Sequence, residues 1–218
     1  MKSDRLAYWY LRLNGFLTSQ NYIIHDGVGG SGSQRTEIDI LGVRFPYKAE
    51  KLEKTGNEFE TMDDEDIFKK KDKIYIIIAE AKKGRCDLNS PLEREISKNM
   101  QRALEIIGVF EEKVIEKVAR KLYVDGFYAN DSYCLSLICF GKSTNYSLER
   151  KYPILKQQKL KQQITWCEVL EFIYNRFDKY RRFKRDHSQW DCDGKQLWNC
   201  FECNTKSNFK NEIISCLE

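Results

Sequence analysis

Apolar residues recur at helical spacing at the start of the chain, at Leu6, Trp9, Leu13 and Phe16. This predicts a helix over Ser3–Leu13, with Ser3 at its start and Asn14-Gly15 at its end. The period then shortens, and "NYIIH" is a strand candidate. "DGVGGSGSQ" follows, with four glycines between Asp26 and Gln34. It reads as a connecting turn or loop, because it lacks the Gly-Lys-Ser/Thr ending of a phosphate-binding loop. "TEIDILGVRF" alternates. Ile38, Ile40 and Gly42 are expected on one face of a strand, and Glu37, Asp39, Leu41 and Val43 on the other. The polar stretch Pro46–Lys73 carries six acidic residues within "NEFETMDDEDIF". It is expected to be a surface loop with little structure.

"IYIIIAEAKKG", residues 74–84, is a buried strand that ends on charge, at Glu80 and Lys82. Ser90-Pro91-Leu92-Glu93 combines a capping serine, a proline at the first helical position and a glutamate at the third. It predicts a helix whose stripe runs through Leu92, Ile96, Met100, Ala103 and Ile107. Gly108 breaks that helix before another, Val109–Leu122. "YCLSLICFG" is a further buried strand. Thr165-Trp166-Cys167-Glu168 is a capping box, opening a helix with Val169, Leu170, Ile173 and Phe177 inward. The element order predicts an α/β fold with a central mixed β-sheet flanked by helices. The core spans residues 1–145, and a helical, basic C-terminal extension, residues 146–218, packs on the same domain.

With 218 residues, 41% hydrophobic and 32% charged, the chain can bury one sizeable core. No apolar run approaches the roughly 20 residues of a membrane span. The start, Met-Lys-Ser-Asp-Arg, leads into a patterned helix and not a signal-peptide run, so a cytoplasmic protein is expected, its eight cysteines reduced. The net charge of +4 is uneven: residues 151–185 hold ten Lys/Arg against three Asp/Glu, a local +7 that leaves −3 elsewhere. Nucleic acid is the expected partner of that segment, through Arg176, Lys179, Arg181, Arg182, Lys184 and Arg185. A solvated helix face is the plain alternative.

Residues two apart on a strand project to one face, so Glu80 and Lys82 are neighbours near a strand end. Asp39 lies on the preceding strand of this reading. If the two strands pair as a hairpin, Asp39 approaches Glu80. Burying unpaired charge is costly, and a divalent cation resolves the conflict. Hard oxygens suit Mg²⁺, or Mn²⁺ in its place. Such an ion neutralises the carboxylates and stabilises charge growing on a phosphate. Asp39, Glu80 and the backbone carbonyl of Ala81 are the expected ligands. Lys82 would orient or activate water, or contact the phosphate. The alternative is a surface Glu–Lys pair of little energetic weight.

"TEIDILGVR" followed by "IYIIIAEAKKG" resembles the PD-(D/E)xK nuclease superfamily, whose fold is restriction-endonuclease-like. That family places an acidic residue on the second core strand and acidic-x-Lys on the third, which implies Asp39, Glu80 and Lys82 as the catalytic set. The longer wording "RTEIDILGVRFP", "IIAEAKKG" and "NMQRALEIIG" is similar to small bacterial proteins of this superfamily with poorly defined roles. Ile38 stands where the motif name has proline. Many members carry a glutamate in the first helix; here that helix offers Asp4. Gln101 occupies a helix position where some members use glutamine, and Glu37 is a further candidate ligand.

The resemblance implies a Mg²⁺-dependent endonuclease acting on DNA, in defence against foreign DNA or in DNA processing. The alternatives are a non-catalytic nucleic-acid- or protein-binding module on the same fold, or an RNA-cleaving effector activated by a partner. A homodimer or a sensor protein is a compatible partner. His187, Cys192, Cys200 and Cys203 raise a zinc site as the weaker reading, because structural zinc usually takes two tight pairs. His25 reads as a strand-end residue, and Cys86 has no adjacent group to make a nucleophile of it. Tyr8, Trp9 and Tyr10 read as core before base-stacking residues.

Overall fold

The first helix, α1 (Ser3–Leu13), ends at Asn14, after which Gly15 takes the left-handed φ of 79° that glycine tolerates best. Strands β1 (Leu17–His25), β2 (Gln34–Arg44) and β5 (Ile74–Ala81) form an antiparallel run. Between β2 and β5 the chain makes a separate hairpin of β3 (Lys51–Lys54) and β4 (Asn57–Glu60). After β5 come the single turn α2 (Ser90–Glu93), a 3₁₀ turn over Glu95–Ser97, α3 (Asn99–Ile107) and α4 (Glu112–Asp125). The chain continues through β6 (Phe127–Ala129), β7 (Tyr133–Gly141), α5 (Tyr146–Lys151), β8 (Gln163–Thr165), α6 (Trp166–Tyr180), α7 (Cys192–Cys203) and α8 (Lys206–Ser215). This computed structural model describes residues 1–25, 34–54, 57–64, 67, 72–153, 161–183, 187 and 190–218. The glycine-rich stretch, Lys184 and Arg185 lie outside them.

The sheet order is β1-β2-β5-β7-β6, with β8 also on β7. β5 and β7 are parallel, as are β7 and β8, so the sheet is mixed. A parallel neighbour requires a crossover, and α2 to α4 supply it. The sheet is sandwiched between two apolar layers. Ile40, Ile77, Ala79, Ile138 and Phe140 share one with residues of α1, α6, α7 and α8. Ile38, Leu41, Ile76, Ile78 and Leu137 share the other with α3 and α4. The architecture is therefore α/β, a mixed central sheet with helices on both faces. Among the described residues no helix is long and apolar enough to cross a membrane.

Three expectations need correcting. Ile38 and Ile40 enter opposite layers, so the alternation of β2 slips beside Asp39. The stretch from Pro46 carries the β3–β4 hairpin and is tied down. Buried Arg44 is 2.7 Å from Asp63, and the Tyr180 hydroxyl accepts from the Met62 N–H at 2.7 Å. The helix expected from Ser90 onward is broken, because Lys98 is left-handed (φ 54°) and ends the 3₁₀ turn before α3 begins. Ile96, placed on its apolar stripe, is 91% exposed.

Candidate active site

Ladder pairing between β2 and β5 runs from Arg44 opposite Tyr75 to Ile40 opposite Ala79, and there it stops. Asp39 is the next residue of β2. Its carboxylate takes the place of a missing backbone acceptor, with Oδ2 accepting from the Ala81 N–H at 2.7 Å. The ladder on the other side of Asp39 is also interrupted. Gln20 pairs with Ile40 and Tyr22 with Ile38, but Asn21 between them is left-handed (φ 51°). Asp39 thus sits where two strands part. The N–H and C=O of one strand residue point the same way, so the Ala81 carbonyl faces the same opening.

Glu80, the residue before Ala81 on β5, is in register with Cys139 of β7 and close enough to Asp39 to feel its charge. It is 1% exposed. Oε2 accepts from Lys82 Nζ at 2.7 Å, whereas Oε1 is buried without a hydrogen-bond partner. Lys82 Nζ also donates to Asn89 Oδ1 at 2.8 Å, and the Lys82 carbonyl accepts from Trp166 Nε1 at 3.0 Å. The i and i+2 expectation for Glu80 and Lys82 thus describes what is found. Asn89 and Trp166 were not singled out from sequence. The cap of the Ser-Pro helix start was expected at Ser90, whereas Asn89 occupies that position and turns its side chain to Lys82 instead; nothing in the pattern of Trp166 points to Lys82.

The electrostatics follow from burial. Desolvation, with the Asp39 charge second, pushes Glu80 up to about 8, against the pull of Lys82. Asp39 is also raised, by burial first, with Asp4 adding repulsion while the Ala81 N–H and Lys82 oppose it. Asp4, Glu37, Asp39 and Ala81 line one cavity of about 310 Å³ together with Lys2 and Asn21. The only acid that α1 offers therefore reaches the rim of the site. Gln101 is engaged on the helical layer, where its Oε1 accepts from the Tyr123 hydroxyl at 3.2 Å. Cys86 is buried with its Sγ 3.6 Å from the Cys139 carbonyl.

The residues present fit a hard divalent cation. Every donor is oxygen. The unpartnered Oε1 of Glu80 is an acceptor in need of a positive charge, and two raised carboxylates beside each other resist ionising without one. Among the described residues no three His, Cys, Asp or Glu side chains already converge on one point. The groups that would hold such an ion are Asp39, Glu80 and the Ala81 carbonyl, with water. His187 stacks against Trp198 with centroids 3.9 Å apart, and Cys200 is buried while Cys192 and Cys203 are exposed.

The basic segment divides. Arg176 does not face solvent, which corrects its placement among nucleic-acid contacts. It is buried, donating to Glu50 Oε2 at 2.7 Å, to Thr61 Oγ1 at 2.9 Å and to the Met62 carbonyl. It faces inward because Glu50, Thr61 and Met62 flank the β3–β4 hairpin, which α6 covers. Lys179, Arg181 and Arg182 are exposed near the end of α6. No protein-family model, curated protein or solved structure matches this chain.

Proposed function

We propose that the protein is a metal-dependent phosphodiesterase with a restriction-endonuclease-like core, acting on nucleic acid and on DNA foremost. Glu80 carries the reading. A buried carboxylate with one unpartnered oxygen, beside a second raised carboxylate and a lysine, is costly in an apolar layer and is the kind of group that functional sites hold. The topology supports it: a helix, three antiparallel strands and a helical crossover to a parallel fourth is the order the PD-(D/E)xK resemblance implies.

Asp39, Glu80 and the Ala81 carbonyl would hold Mg²⁺ or Mn²⁺, and the bound ion supplies charge stabilisation for the reacting phosphate. Asn89 holds the Lys82 ammonium in place, and Lys82 is 28% exposed. Lys82 can therefore meet an attacking water or a phosphate oxygen without leaving its seat. Asp4 and Glu37 draw cations to the rim. Lys179, Arg181 and Arg182 would supply phosphate contacts that do not depend on sequence. Clearance of foreign DNA or DNA processing is the role this chemistry suits.

The test is cleavage of plasmid, linear duplex, single-stranded DNA and RNA with Mg²⁺ and with Mn²⁺. Wild type is expected to cut DNA, and Asp39→Ala, Glu80→Ala and Lys82→Ala to lose about 10²–10⁴-fold while remaining folded by circular dichroism. Asp39→Ala and Glu80→Ala should also lose Mn²⁺ binding in calorimetry, whereas Lys82→Ala should keep it. If wild type cuts none of the four substrates, the catalytic reading is wrong. Nucleic-acid binding in the same samples then decides for a non-catalytic module.

A further inference from the structure

A second polar cavity, outside the site just described, lies between the end of α6 and α7. It measures about 550 Å³, and Arg181, Arg182 and Lys195 line it, with Glu202 as the acid on its wall. Arg181 is 3.6 Å from Glu202 and lies over the Phe201 ring. Arg182 and Lys195 are exposed, and their side chains make no hydrogen bond or ion pair among the described residues. His187 forms the back wall. It stacks on Trp198 at 3.9 Å and meets Trp190 edge-on at 4.6 Å. Its Nε2 is buried and has no hydrogen-bond partner.

Three cations and one acid, backed by the His187 and Trp198 rings, surround a concavity rather than spreading over a flat face. A duplex backbone offers singly charged diesters to a broad surface. A monoester offers three acceptor oxygens and up to two charges at a point. Arginine forks match such a group in pairs, and Lys195 adds a point charge. We propose that this cavity binds a phosphate monoester, carried by a nucleotide or by a phosphorylated end of a nucleic-acid strand. The proposal goes beyond the nuclease reading and needs neither metal nor cleavage, so either can fail while the other stands.

The experiment is calorimetry on the full chain in EDTA. The ligands are inorganic phosphate, a mononucleotide and one short single-stranded DNA with 5′-phosphate, 3′-phosphate or hydroxyl ends. Wild type is expected to prefer a phosphorylated ligand by about tenfold or more, the effect of one charged hydrogen bond. The double substitution Arg182→Gln and Lys195→Gln, at two exposed positions, should abolish that preference and leave the circular dichroism unchanged. Binding of phosphate and mononucleotide together with the strand ends assigns the pocket to small phosphates. Binding of strand ends alone assigns it to nucleic acid. No binding of any monoester by wild type, or a phosphate preference that survives the double substitution, overturns the proposal.

Discussion

At the scale of residues, Glu80 links acidity to ion binding. Burial, with Asp39 beside it, raises it to about 8, so at neutral pH it holds a proton that an incoming cation must displace. Mn²⁺ affinity is therefore expected to rise from about pH 7 to pH 9, with release of about one proton per ion. Calorimetry in two buffers of different ionisation heat measures this, and an affinity indifferent to pH would place the ion elsewhere. The same shift sets a sign for stability without metal. The folded value lies above the ordinary 4.5, so the folded state binds more protons. The contribution of Glu80 is fully present below about 4.5 and is lost as pH rises through about 8. Glu80→Gln lacks that loss, so urea unfolding should show the variant gaining on wild type across this range; a constant difference would contradict it. The Glu80–Lys82 neighbourhood was legible from strand geometry alone. The seat of Asp39 was not, because it depends on where two strands separate, and one strand's periodicity holds no record of its neighbour's register. Nor was the hold on Lys82, since Trp166 lies 84 residues away.

At the scale of elements, the long apolar strands and the capping box at Thr165 were legible because each carries a local signal. Thr165 Oγ1 accepts from the Glu168 N–H and the Glu168 carboxylate accepts from the Thr165 N–H, as that signature demands. The β3–β4 hairpin was hidden by acidity. Its residues read as solvated loop because the cations that hold its flanks, Arg44 and Arg176, come from elsewhere in the chain. Arg176→Met removes three such ties and leaves Glu50, already 34% exposed, to water. The expected loss is roughly 2–3 kcal/mol in urea unfolding, with nucleic-acid affinity unchanged. A fall in affinity with stability intact would return Arg176 to the binding surface. The contact of α7 with α1 turns on Gly194. An added Cβ would lie 2.0 Å from Cζ2 of the buried Trp9. Gly194→Ala is expected to destabilise by about 1–3 kcal/mol or more, read as a lowered melting temperature. No change would mean that α7 sits less tightly than described.

At the scale of the whole molecule, α6, α7 and α8 share with α1 the covering of one face of the sheet. A chain cut after residue 145 would expose Ile40, Ile77, Ile138 and Phe140 at once, and is expected to lack cooperative unfolding and to bind hydrophobic dyes. A folded, dye-silent fragment would refute that dependence. Composition foretold a core of this size. It could not foretell that the basic extension supplies three of the four helices on that face, because amphipathic helices do not name the surface they cover. The same packing sorts the four tryptophans. Trp9, Trp190 and Trp198 form one contiguous group, with successive ring centroids 5.0 and 6.0 Å apart. Trp166 stands apart, stacked on Phe140 and bonded to the Lys82 carbonyl. The protein thus carries two intrinsic fluorophores in separate places. The tryptophan cluster borders the basic cavity, and the lone indole is fastened to the strand end that bears the carboxylates. Trp166→Phe would leave the cluster's indole emission alone, so a difference between the two proteins reports on the strand end by itself.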